Sequence, residues 1–136
     1  MTRKLAALLT ATAAAVALAS TGASAATMHS KLGARLSGMG EHGVANLTAT
    51  TSTGKLCWKF DVPTLKGATR ATIHTGKNGK VLVVLGMHYT KSGCAKTSAM
   101  ALEHLETKPT AYSLWIDTKG HPGDLRGMLF AGTAHM

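Results

Sequence analysis

The sequence predicts a mainly β protein, an antiparallel β-sandwich or barrel with one short helix and one disulfide bond. Three observations favour this fold class. Apolar and polar residues alternate in several short segments separated by turn residues, one segment near residue 100 has helical spacing instead, and the chain contains two cysteines. The most regular segment, ATIHTGKNGKVLVVL at 71–85, predicts a hairpin at the centre of the fold, which we call the central hairpin.

The N-terminus has the pattern of an export signal. Two basic residues precede an apolar run at 5–18, and Ala23-Ser24-Ala25 supplies the small residues that a signal peptidase recognises. We therefore predict a signal peptide at 1–25 and a single domain at 26–136 in a secreted, extracellular protein. Cleavage after Ala26 is the alternative. No second long apolar run follows, so no membrane span is expected after cleavage.

The secreted part is strongly basic. The whole chain has a formal net charge of +9, and the predicted cleavage lowers it to +7 because Arg3 and Lys4 are removed. Such a charge attracts polyanions, although it also suits a protein that needs only solubility. Binding to nucleic acid is not expected, since aromatic residues, which bases stack on, make up only 4% of the chain.

The two cysteines predict one disulfide bond between Cys57 and Cys94. Exported proteins meet an oxidising compartment, and the wide spacing of the pair is unlike the C-x-x-C motif of redox proteins. Cys57 alternates with Leu56 and Trp58, which share the apolar face of their segment. The bond is therefore expected on the outer surface and not across the core.

The elements follow in order along the chain. The alternating segments predict strands at 31–36, 45–51, 55–62, 70–74 and 81–85, a loop at 86–93, a helix at 97–107 with Thr97 or Ser98 as its cap and Pro109 after its end, and strands around 112–116 and 125–129. Asn78-Gly79 is expected to turn the central hairpin at positive φ, and 120–123 to turn the last one. Trp58 and Tyr112 are expected in the core, and Trp115 in a contact patch or beneath the helix.

Several blocks of the chain resemble the CHRD domain, which is named for chordin and also occurs singly in exported bacterial proteins. The blocks are Leu36-Ser37-Gly38 with Glu41, the run at 71–76, the helix before Pro109, Asp117-Thr118, Pro122-Gly123 and the run at 125–129. The resemblance covers nearly all of the secreted part and implies an immunoglobulin-like antiparallel β fold. It also implies polar positions of the family at Glu41, His74, Asp117 and Arg126.

No arrangement of residues predicts an enzyme, because no base is placed against a Ser, Cys or Thr nucleophile. We expect an exported, non-catalytic binding or structural module without a cofactor. Lys77 and Lys80 beside the central turn are the candidate contacts for an anionic envelope polymer or extracellular protein. Arg126 is expected to bond Asp117, with His74 nearby.

A copper- or zinc-binding protein is the alternative function. The chain has seven histidines and seven methionines, and imidazole with thioether is a ligand set that suits copper. The candidate ligands are His29, His74, Met87 and His88. Cleavage after Ala26 would also leave a free amine close enough to His29 to chelate copper with it.

Overall fold

The computed structural model describes residues 29–38, 40–63 and 65–136. The predicted signal peptide lies outside these residues. The described elements are β1 (His29–Gly38), β2 (Glu41–Thr50), β3 (Lys55–Asp61), β4 (Ala68–Thr75), β5 (Val81–Val84), β6 (Ser92–Lys96), α1 (Ala99–Thr107), a 3-10 turn (Pro109–Ala111), β7 (Tyr112–Thr118) and β8 (His121–Ala131). No helix among them is long and apolar enough to cross a membrane.

The strands form one antiparallel sheet in the order β5-β4-β7-β8-β1-β2-β3-β6. The sheet curls into a half-barrel, which is the barrel-like form of the predicted fold. The mainly β architecture with one short helix and one disulfide is therefore confirmed. β5 and β6 are the two edge strands, so they lie at opposite ends of the sheet. The predicted position of the central hairpin is therefore wrong: its second strand, β5, forms an edge of the sheet and not the centre of the fold.

One contiguous core fills the inner face of the sheet. Side chains alternate between the two faces of a strand, so most apolar residues of each strand share the inner face and most polar residues share the outer face. Leu56, Trp58 and Phe60 of β3 are all buried, as expected for Trp58. Tyr112 packs against the core while remaining partly exposed.

Helix α1 covers part of the inner face. Ala101, Leu102 and Leu105 form its buried stripe, and burial of each leucine stabilises the fold by roughly 1.5–3 kcal/mol. The helix begins where Ser98 Oγ accepts a hydrogen bond from the Ala101 amide at 3.2 Å, which confirms one of the two predicted caps. A nine-residue helix has little stability of its own, so this packing holds it in place.

The segment at 86–91 crosses from one half of the sheet to the other. The Tyr89 amide donates to Thr69 O in β4 at 3.0 Å, and the Phe60 amide in β3 donates to Lys91 O at 2.8 Å. The ring of Tyr89 stacks on Phe60 at 5.6 Å, and burial raises the pKa of the Tyr89 hydroxyl above its ordinary value. What the sequence predicts only as a loop therefore joins β4 to β3, which are not neighbours in the sheet.

The turn of the central hairpin differs from the prediction. Positive φ occurs at Gly76, at 61°, and not at Gly79. Gly79 is needed for another reason: its amide donates to Thr75 O at 2.8 Å, and a Cβ at this position would overlap the carbonyl and hydroxyl oxygens of Thr75. The last hairpin also turns earlier than expected, since Thr118 pairs with His121.

The C-terminal residues fold back over the outer face of the sheet. The side-chain amide of Asn46 in β2 donates to Ala134 O at 3.0 Å and accepts from the Ala134 amide at 2.7 Å. Ala134 is buried, and the absence of a side chain at Gly33 leaves the space that it occupies. The side-chain amide of Asn46 thus makes with Ala134 the two hydrogen bonds that the backbone of a neighbouring strand would otherwise make.

We predict that Gly79→Val lowers the free energy of unfolding by at least about 1 kcal/mol, because the new side chain must displace the Thr75 backbone. Chemical denaturation measures the change. Lys77→Val is the matched control, since Lys77 is exposed in the same loop and should change stability by less than about 0.5 kcal/mol. Equal midpoints for the two variants would contradict this account of the turn.

The disulfide between Cys57 and Cys94 is confirmed, and it links directly opposed residues of β3 and β6 on the outer face. The bond closes a chain separation of 37 residues and fastens an edge strand to its neighbour. Closure of such a loop stabilises the folded state by roughly 4 kcal/mol on the chain-entropy argument.

We predict that neither cysteine is alkylated in the folded protein without reductant, and that reduction lowers the free energy of unfolding by roughly 4 kcal/mol. Intact mass and denaturation with and without reductant measure the two effects. A Cys57→Ser/Cys94→Ser variant should show the lower stability in both conditions. If reduction leaves the midpoint of the natural protein unchanged, the bond does not stabilise the fold.

Candidate anion-binding surface

Three side chains form a stacked row on the outer face, across β4, β7 and β8. The rings of His74 and Trp115 lie nearly parallel, 12° apart, with their centroids at 3.6 Å. The guanidinium carbon of Arg126 lies 3.6 Å from the centroid of the Trp115 ring. Because β4 and β8 flank β7, the indole lies between the imidazole and the guanidinium. Such a cation–π contact is worth roughly 0.5–2 kcal/mol, depending on its exposure.

Both ring nitrogens of His74 have hydrogen-bond partners. Nδ1 lies 2.9 Å from Gly79 O, which can only accept, so this nitrogen carries a proton. Nε2 lies 2.9 Å from Thr72 Oγ1, which can donate to it. His74 is only 8% exposed. Its ring therefore connects the row to the turn of the central hairpin and holds both in place.

The loop at 76–80 is anchored from three sides. The Thr75 amide donates to Lys80 O at 2.8 Å, which closes the loop on itself. The Gly76 amide donates to Ala111 O at 2.7 Å, and Ser113 Oγ donates to Gly76 O at 2.7 Å. Together with the bond from His74, these contacts fix a short, exposed loop against β7. The backbone that carries Lys77 and Lys80 is therefore held in a defined position.

Lys77 and Arg126 line the same small cavity. It has a volume of about 110 Å³, and Ser113, Gly127 and Met128 complete its wall. Lys80 belongs to the same loop and is exposed. We call Lys77, Lys80 and Arg126 the loop patch.

The hydrogen-bond partners of the Arg126 guanidinium are neutral groups. Its Nε donates to Gly123 O at 3.0 Å, and one terminal nitrogen donates to Asn78 Oδ1 at 2.7 Å. The nearby carboxylate of Asp117 is engaged elsewhere: it accepts from the Gly123 amide at 2.6 Å and lies 3.9 Å from Arg70. The predicted bond between Arg126 and Asp117 is therefore wrong, because each has a different partner.

The structure separates the remaining family positions. Glu41 begins β2, and β1 lies between this strand and β8, so Glu41 is not part of the stacked row. Trp115 is covered by His74 and Arg126, and not by the helix. Asn78 and Ser113 position the loop patch, but the sequence offers no signal for their roles beyond the turn propensity of Asn78.

The candidate metal ligands do not converge. His74 has both nitrogens engaged, and it lies at the end of β4 near Gly79. Met87 and His88 are exposed in the segment that runs beside Thr69, at the other end of β4. The side chain of His29 lies outside the described part of the chain. Within that part, no three His, Cys, Asp or Glu side chains are grouped as a metal site.

Comparison of the chain with family models, curated proteins and solved structures gives no match. The resemblance to the CHRD domain therefore stays a prediction from the sequence blocks.

We predict that His74→Ala lowers the free energy of unfolding by about 1–3 kcal/mol, because it removes the stacking on Trp115 and leaves Gly79 O without its partner. His121→Ala is the control, since His121 is exposed on β8 and should change stability by less than about 0.5 kcal/mol. Thermal or chemical denaturation measures both. Equal stability of the two variants would show that His74 does not hold the row.

Proposed function

We propose that this chain is an exported, non-catalytic binding module of the CHRD type, and that its loop patch contacts an anionic polymer of the cell envelope or extracellular matrix. The signal-peptide pattern and the sequence blocks support the location and the family. The charge of the secreted part supports the class of partner. The specific contact rests on the geometry of the loop patch.

The observation that carries the proposal is the convergence of Lys77 and Arg126 on one small cavity beside a hydrogen-bonded loop. Arg126 is oriented by Trp115, Asn78 and Gly123 O, all of which are neutral, so its charge is not cancelled. An anionic group near the cavity would meet both cations at once. A charge that serves only solubility needs no such orientation, because mobile lysines anywhere on the surface would suffice.

The proposed binding is electrostatic and therefore depends on ionic strength. Exposed charges interact over a Debye length of roughly 8–10 Å at ordinary salt, and this length shortens as salt is added. Rigid placement of the loop adds to the affinity, since less conformational freedom is lost on binding. The module needs no turnover and no cofactor for this function.

We predict that Lys77→Gln/Lys80→Gln weakens binding to an acidic cell-wall polymer about fivefold, because each of the two exposed ion pairs is worth about 0.5 kcal/mol and their sum of about 1 kcal/mol is a factor of about 5. The measurement is the dissociation constant across a salt series. Lys108→Gln/Lys119→Gln is the control, since both residues are exposed and lie outside the loop patch while the loss of charge is the same.

Affinity that does not fall with salt would overturn the electrostatic proposal. Equal weakening by the two double variants would show that net charge, and not the loop patch, determines binding. Hydrolysis or modification of the polymer by the natural protein would contradict the non-catalytic assignment.

A further inference from the structure

A second group of cations lies at the opposite end of the sheet, on the outer face of β3 and β6. In the pairing of these strands Lys55 lies opposite Lys96, Cys57 opposite Cys94, and Lys59 opposite Ser92. Residues two and four apart on a strand share a face, so the lysines lie on the same face as the disulfide. All three lysines are exposed. We call Lys55, Lys59 and Lys96 the lysine ladder.

The register places two like charges directly against each other. Opposed residues of an antiparallel pair have Cβ atoms roughly 4.5–5.5 Å apart, and like-charged side chains on directly opposed residues destabilise the pairing. The neighbouring outer-face positions on β2 do not relieve the repulsion, since Thr50 lies opposite Lys55, Thr48 opposite Cys57 and Asn46 opposite Lys59. Among the described residues, none of the three lysines has a carboxylate within ion-pair distance.

The disulfide holds this unfavourable arrangement together. It joins β3 to β6 two residues along each strand from the Lys55–Lys96 pair and on the same face, so the edge strand cannot move away to relieve the repulsion. Lysines on an edge strand also protect it from pairing with another chain, which is the structural explanation of such residues. That explanation accounts for Lys96 on β6, but it does not account for Lys55 and Lys59, because β3 is an interior strand.

We infer that the lysine ladder is a second binding surface, for a linear polymer with repeated anionic groups. Lys55 and Lys59 are four residues apart on one strand, which separates them by roughly 13 Å. A single small anion at the Lys55–Lys96 pair does not reach Lys59, whereas a chain of anionic groups contacts all three cations. The class of partner rests on the proposed function, but the site is separate from the loop patch.

The occupied ladder also removes the repulsion that the free protein carries. A negative group between Lys55 and Lys96 attracts both, so binding and stability are coupled at this site. Removal of the two charges should therefore leave the fold at least as stable as the natural protein. A loss of polymer binding in that variant cannot then be attributed to unfolding.

The experiment compares three double variants with the same loss of charge: Lys55→Gln/Lys96→Gln in the ladder, Lys77→Gln/Lys80→Gln in the loop patch, and Lys108→Gln/Lys119→Gln as the control. The probe is long-chain inorganic polyphosphate, and orthophosphate is the short comparison. Calorimetry gives the dissociation constants at a fixed low salt concentration, and denaturation gives the stability of each variant.

We expect the ladder variant to bind polyphosphate at least about fivefold more weakly than the control variant, while its melting midpoint is equal to or above that of the natural protein. Lys59→Gln should weaken binding of polyphosphate but not of orthophosphate, since only the long chain reaches it. If the ladder variant binds as the control does, the inference is overturned, and the proposed function stands provided that the loop-patch variant is weaker.

If the ladder variant alone is weaker, the inference stands and the proposed contact at the loop patch fails. If neither the ladder variant nor the loop-patch variant differs from the control variant, both proposed contacts fail. Self-association of the ladder variant with unchanged polyphosphate binding would assign the lysines to edge protection and overturn the inference.

Discussion

The need to cover the inner face of one curled sheet governs this structure. Eight strands place their apolar residues on that face, and a half-barrel leaves it open on one side. Helix α1 and the segment at 86–91 cover the opening, the first with a leucine stripe and the second through Tyr89 against Phe60. Neither would be stable alone, because a short helix and an isolated loop do not offset the conformational entropy that ordering costs. Most polar residues of the strands consequently lie on the outer face.

That outward face carries the features from which binding is inferred. The row of His74, Trp115 and Arg126 spans three strands, and cross-strand contacts of this kind are the unit by which sheets gain stability beyond their backbone bonds. His74 has a positioning role, since its two hydrogen bonds join β4 to the turn that follows it. The guanidinium gains its orientation from the same row. Structural rigidity and the presentation of positive charge therefore come from one set of contacts.

The two groups of cations occupy different ends of the sheet. The loop patch lies where β4 turns into β5, and the lysine ladder lies on β3 and β6. The two groups position their charged side chains differently. Neutral hydrogen-bond acceptors orient Arg126, whereas strand register and the neighbouring disulfide keep Lys55 opposite Lys96. Separated cationic surfaces on one small domain allow a polymer to bind at more than one point, which raises the overall affinity without any new contact.

The sequence by itself determined the mainly β class, seven of the eight strand segments, the capped helix and the disulfide, because alternation, caps and cysteine content can be read from the chain alone. It missed β6, whose short run Ser92–Lys96 has no clear alternation of apolar and polar residues and is a strand because it pairs with β3. It also indicated the central hairpin, but not that Gly79 is required by the close approach of Thr75. Only the tertiary structure decided which distant residues meet. The register of β7 and β8 places Arg126 opposite Trp115 and not opposite Asp117. The register of β3 and β6 places Lys55 opposite Lys96. These pairings depend on strand order, which local sequence patterns do not specify because the same alternation fits several neighbours.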